Sequence, residues 1–160
     1  MTREDMMRLA LRQAEEAFAA GEVPVGCVIA DAEGKIIGAG RNRREETHRA
    51  DAHAEIEAIG QACEVLGTWR LEDCTLCVTL EPCPMCAGAI INARVGTVVY
   101  GAKEANFGSC GSVSTSLRSA TATTRSSTAA FSRKTAPRCS RTFLPDCGDA
   151  APGRRKEIPP

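Results

Sequence analysis

The chain has 160 residues, 43% of them apolar, and equal numbers of Lys plus Arg and of Asp plus Glu, 20 each, so its formal net charge is zero. That length supports one core and not two, and the balanced charge excludes polyanion binding by overall basicity, leaving any such contact to local clusters. Nine cysteines, two C-x-x-C pairs and no secretory pattern after Met1 fit metal binding in a reducing cytoplasm better than a disulfide framework, and no apolar run reaches membrane-spanning length.

Residues 4–20 read as a helix. Met7, Leu11, Ala14 and Phe18 recur at helical spacing, Thr2 with Asp5 forms a capping box, and Gly21 stops the run. A hairpin follows: Glu22 to Ala30, the turn Asp31 to Gly34, then Lys35 to Gly40. Arg41 to Glu46 reads as a polar loop leaving the sheet. Within it Asn42 stands apart, because a neutral donor and acceptor suits reading a base or sugar.

From Asp51, the expected N-cap, the period turns helical through Ile56, Ile59, Ala62, Cys63 and Leu66, and Gly67 closes the segment. His48 is expected to face solvent and Trp69 to anchor packing. Thr75 to Leu80 reads as a strand buried on both faces. Cys83 to Ala93 reads as a second short helix, Val95 to Tyr100 as a strand, and Gly101 to Glu104 as the loop leaving it. The order predicts a three-layer α/β/α sandwich with a mixed central sheet.

The chemistry concentrates in two short stretches, His53-Ala54-Glu55 and Pro82-Cys83-Pro84-Met85-Cys86. One imidazole and two thiolates are one ligand short of a closed tetrahedral zinc shell. An open fourth position is what a catalytic zinc uses to acidify water. Glu55 lies close enough to handle that water's protons without ligating. The helix N-terminus favours thiolate at the two sulfurs. A rival is a four-cysteine structural site from Cys74, Cys77, Cys83 and Cys86. The short gap between the pairs disfavours it, and a strand would point Cys74 and Cys77 to opposite faces. Both, with Cys27 and Cys63, are therefore assigned to packing.

H-x-E followed by P-C-x-x-C is the signature of zinc-dependent deaminases. Glu22-Val23-Pro24-Val25-Gly26, Asn42, His53-Ala54-Glu55 and Thr79 to Ala89 together closely resemble the bacterial tRNA-specific adenosine deaminases. The resemblance runs to about Val113. It implies the cytidine deaminase-like fold, a homodimer, and conversion of the wobble adenosine of a tRNA anticodon stem-loop to inosine. It further implies one Zn2+ per subunit on His53, Cys83 and Cys86, with Glu55 as the catalytic proton shuttle. The Ala54 amide and the Cys83 carbonyl match positions that hold water and leaving group. Asn42 matches a substrate contact, Val25 a wall of the base pocket, and Glu104 an acidic residue near the RNA. A free-base (guanine) deaminase is the alternative enzyme, and a non-catalytic RNA-binding homologue the alternative of another class.

Residues 1–113 are thus expected to form the deaminase domain. Residues 114–160, rich in Ser, Thr, Ala and Arg, carry no helical or strand period and are expected to lack stable tertiary structure. Codons for Phe131 to Cys139 exist whose shifted frame spells a stretch resembling the family's C-terminal helix, which suggests translation out of frame. Loss of that helix predicts a weak enzyme.

Overall fold

The computed structural model describes residues 1–112; the expectation for 114–160 lies outside them. Eight elements follow in chain order: α1 (Arg3–Ala19), β1 (Gly26–Ala30), β2 (Ile36–Arg41), α2 (Arg44–Thr47), α3 (Ala54–Leu66), β3 (Thr75–Leu80), α4 (Pro84–Asn92) and β4 (Thr97–Ala102). The strands form one sheet in the order β2-β1-β3-β4. β1 runs antiparallel to both β2 and β3, and β3 runs parallel to β4 with α4 as the crossover. This is the mixed sandwich read from the sequence.

α1 begins where Thr2 and Asp5 cap each other reciprocally, which satisfies backbone N–H groups that have no intrahelical acceptor. It ends before Gly21, whose φ of 79° suits glycine. Its buried face is Met6, Met7, Ala10, Ala14 and Ala17. Phe18, expected on that face, is 46% exposed. The residue pattern of the sheet separates two cores. Val28, Ala30, Cys77 and Val99 pack with α1, while Cys27, Ile29, Leu76 and Val78 pack with α3 and α4. Leu76 and Ile90 on the α3/α4 side are 0% and 1% exposed; truncating either to alanine costs about 2–5 kcal/mol.

Glycines let α1 and α3 approach the sheet closely. A Cβ on Gly26 would overlap the Ala10 carbonyl oxygen, and one on Gly38 the Ala58 carbonyl oxygen. Small residues therefore face each other across the layers, Gly38 and Gly40 on β2 against Ala54, Ala58 and Ala62 of α3.

Several boundaries differ from the sequence reading. Residues 44–47 form a helical turn, not a loop, and its arginine neighbours are paired: Arg41 and Arg43 hold Glu46 at 2.7 and 2.9 Å. His48, which ends that turn with a positive φ of 54°, is exposed as expected. Gly101 and Ala102 belong to β4, held by parallel pairing of Leu80 with Ala102. Trp69 is 50% exposed and stacks under Arg70 and Arg94 rather than anchoring the core. No helix among the described residues is long and apolar enough to cross a membrane.

Candidate active site

Two helix starts meet at the site. The N-cap of α3 is His53, not Asp51, and that of α4 is Cys83. Asp51 lies two residues before the cap, where Arg49 holds its carboxylate at 3.0 Å and its carbonyl accepts the His53 N–H at 2.7 Å. Both N-cap residues have extended backbones and neither side chain makes a capping hydrogen bond. Neither residue is of the Ser, Thr, Asp or Asn type that caps helix N–H groups; the ring and the thiol are turned toward each other. Pro84 at the start of α4 has no N–H to satisfy, and Cys86 follows one turn on from Cys83, on the same face.

The result is a tight group of donors. His53 Nδ1 lies 3.8 Å from Cys83 Sγ and 3.5 Å from Cys86 Sγ. Bond lengths typical of tetrahedral zinc imply an N···S edge of about 3.6 Å. The three residues therefore fit a zinc ion through Nδ1 and two sulfurs. Among the described residues no other group of three or more ligating side chains comes so close. Cys74 and Cys77 are buried in opposite cores, which removes the four-cysteine arrangement. Cys27 is fully buried and Cys63 half-buried, both packing residues.

The electrostatics agree with a cation-binding set. The Cys83 thiol is pulled down to about 3, chiefly by its hydrogen bond with Cys86 and, against the cost of burial, by the His53 imidazole. Cys86 is pushed up by that same hydrogen bond, by burial and by the charge of Glu55. His53 is raised, mainly through Cys83. Glu55, 4% exposed, is raised by burial above the ordinary carboxylate range. Three donors crowded at this distance, one of them with its thiol pulled down, are what a divalent ion satisfies.

In front of them opens a cavity of about 180 Å³ lined by Val25, Asn42, His53, Ala54, Glu55, Cys83 and Glu104. Such a volume is smaller than the roughly 300–1,000 Å³ of sites for drug-sized ligands and suits one heterocycle. The sequence-derived site residues thus converge, with Cys86 fully buried behind the wall. As the first residue of α3, Ala54 has an N–H without an intrahelical acceptor. The Cys83 carbonyl accepts the Ala87 N–H at 2.8 Å, which leaves one lone pair free.

The cavity also includes Val23, Arg44, Leu80, Glu81 and Phe107, which the sequence reading did not single out. Glu81 is 2% exposed. It accepts the N–H groups of Glu104, Cys110 and Ser112 at 3.2, 2.9 and 3.1 Å, and the Ser112 hydroxyl. It thereby ties down the segment that brings Glu104 and Phe107 over the cavity. The one available signal was an acidic residue immediately before Pro82-Cys83.

The model of the MafB19-like deaminase family matches residues 1–131. Over 114 residues the chain is 48% identical to the tRNA-specific adenosine deaminase of Bacillus subtilis, spanning 71% of this chain and 70% of that one. The chain belongs to the tRNA-specific adenosine deaminase family. A second member, from Streptococcus pyogenes serotype M18, is 50% identical over 107 residues, 67% of each chain. Among solved structures, one from a study of A-to-I editing by tRNA:A34 deaminases superposes with a TM-score of 0.70 at 39% identity, covering 78% of this chain and 98% of that one. The guanine deaminase of Bacillus subtilis superposes at 0.63 with 42% identity, covering 68% and 72%. The family model reaches farther along this deaminase chain than Val113, where the motif resemblance stops.

Proposed function

We propose that this chain hydrolytically deaminates adenosine to inosine at the wobble position of a tRNA anticodon stem-loop, with one Zn2+ per subunit on His53 Nδ1, Cys83 Sγ and Cys86 Sγ. The observation that carries the reading is the placement of buried Glu55 beside a zinc-fitting His/Cys/Cys group at the floor of a base-sized cavity. Bound there, zinc supplies the Lewis acidity that loosens a water proton near neutral pH.

The protein's residues do the rest. Glu55 takes one proton as the water oxygen adds to C6 of the base and delivers it to ring N1, then carries the proton of the new C6 hydroxyl to the amine as the C6–N bond breaks. Adenosine and water become inosine and ammonia. A carboxyl raised by burial is suited to both halves of that transfer. The Ala54 N–H and the free lone pair of the Cys83 carbonyl flank the reacting carbon. Val25 and Leu80 supply apolar walls, Asn42 reads the nucleoside, and Glu104 lies on the RNA side. The reading includes a cytoplasmic homodimer, for which exposed Met85 on α4 and Phe107 beside the cavity offer apolar surface. Residues 1–113 are read as the deaminase domain and 114–160 as an atypical C-terminal segment.

Resemblance to a guanine deaminase structure at 42% identity keeps free guanine as the competing substrate. The test is ammonia release by the zinc-loaded chain with an anticodon stem-loop carrying wobble adenosine, set against free guanine. Inosine in the digested stem-loop with guanine untouched is expected. Turnover of guanine alone would replace this reading with a free-base deaminase, and binding of the stem-loop without turnover would make the chain an RNA-binding homologue.

A further inference from the structure

Glu22 is a buried carboxylate, 5% exposed, that the reaction described above does not use. It lies between α1 and β1, and both its oxygens are occupied. Oε2 accepts Asn42 Nδ2–H at 3.1 Å, and Oε1 accepts the Glu46 N–H at 2.9 Å. Asn42 is equally confined, 6% exposed, with its own N–H donating to the Val25 carbonyl at 3.1 Å.

An amide against a carboxylate has one tolerable orientation. Reversed, its carbonyl oxygen would face an anion inside a low-dielectric pocket. Nδ2 is therefore committed to Glu22, and Oδ1 is the pole left over. Oδ1 accepts no hydrogen bond among the described residues, and it is not one of their fully buried side-chain atoms left without a partner, a group that holds Arg43 Nε alone. Asn42 lines the cavity, so the cavity is where that oxygen finds its donor.

We propose that Glu22 is a positioning residue that locks the Asn42 amide with its carbonyl oxygen toward the cavity, so that the site selects a nucleoside presenting an N–H or O–H donor at that point. This rests on the reading of Asn42 as a substrate contact. A substrate offering only an acceptor there would meet oxygen against oxygen, and the amide could not turn to accommodate it.

The test is a double-mutant cycle on the zinc-loaded full chain, with wobble-adenosine stem-loop as substrate: Glu22→Gln, Asn42→Ala and the pair. A glutamine can face either pole of the amide and so releases the lock without changing volume. Glu22→Gln is expected to raise KM about 5- to 10-fold, the scale of one hydrogen bond, with kcat falling by less. Asn42→Ala is expected to raise KM at least as much, and the double variant no further. In parallel, the Asn42 side-chain NH2 resonances are expected to be slow to exchange in the wild type, where Nδ2 donates to Glu22, and to lose that protection in Glu22→Gln. Multiplicative KM effects would overturn the proposal, because Glu22 would then act independently of Asn42. So would an unchanged KM in Glu22→Gln when the wild type is active. An Asn42→Ala variant with unaltered KM sinks the Asn42 reading together with the proposal. A wild type inert toward the stem-loop sinks the functional reading and the proposal with it.

Discussion

Gly40 of β2 lies so close beneath Ala54 of α3 that a Cβ on the glycine would overlap the Ala54 carbonyl oxygen and sit 2.7 Å from the Ala58 amide nitrogen. Backbone, not a flexible side chain, fills that space. The contact sets the height of the α3 N-terminus over the sheet, and His53 and Glu55 ride on that terminus. Gly40→Ala is therefore predicted to destabilise by about 1–3 kcal/mol and to lower zinc occupancy at limiting metal. Thermal unfolding together with metal analysis checks both. A variant with wild-type Tm and full zinc would show that the helix has slack.

Glu81 gathers three backbone N–H groups and a hydroxyl from residues 104–112 while remaining buried. In Glu81→Gln an amide NH2 faces some of those donors. The predicted cost is about 1–3 kcal/mol, and it should appear first as faster exchange of the Cys110 and Ser112 amides. Unchanged protection of those two amides would mean that other contacts hold the segment.

Glu46 has its carboxyl pushed down to about 2, by hydrogen bonds from Arg43 and then Arg41, against the opposing effect of burial. Because the folded value lies below the ordinary 4.5, the stability these pairs provide is fully present above that value. It is lost as pH falls from there toward about 2. At pH 4 the carboxyl carbon of Glu46 should still report an ionised group by NMR, and Arg43→Ala should move its midpoint upward. A Glu46 mostly protonated at pH 4 would contradict the geometry.

Glu55→Ala is predicted to reduce deamination by about 10²–10⁴-fold, the range for a general acid–base group, while zinc stays bound, since Glu55 stands outside the ligand set. Single-turnover kinetics and metal content on the same sample measure both. Residual turnover close to wild type would remove Glu55 from proton transfer.

What could be read in the sequence was what local chemistry demands. A metal set needs its ligands at fixed spacing, so His53, Cys83 and Cys86 announced themselves. The Thr2–Asp5 capping box and the closing Gly67 are equally local, and both stand in the structure. What escaped depends on partners distant in the chain. Glu22 meets Asn42 across 20 residues, and Glu81 meets Cys110 across 29. Asp51 looked like the better N-cap, but the helix starts at Ala54 and His53 takes that position, with Asp51 paired to Arg49 outside it. Trp69 carries a core residue's composition but finds two guanidinium groups at the surface, 4.4 and 5.3 Å from its ring.

The proposed chemistry requires the His53 imidazole and the Cys83 and Cys86 thiolates to share a single zinc ion. X-ray absorption at the zinc edge of the purified chain tests it most directly. The predicted first shell is two sulfurs at about 2.3 Å with nitrogen and oxygen neighbours at about 2.0 Å, reduced to one sulfur in Cys83→Ser. A shell of four sulfurs would contradict it, as would a spectrum indifferent to loss of Cys83.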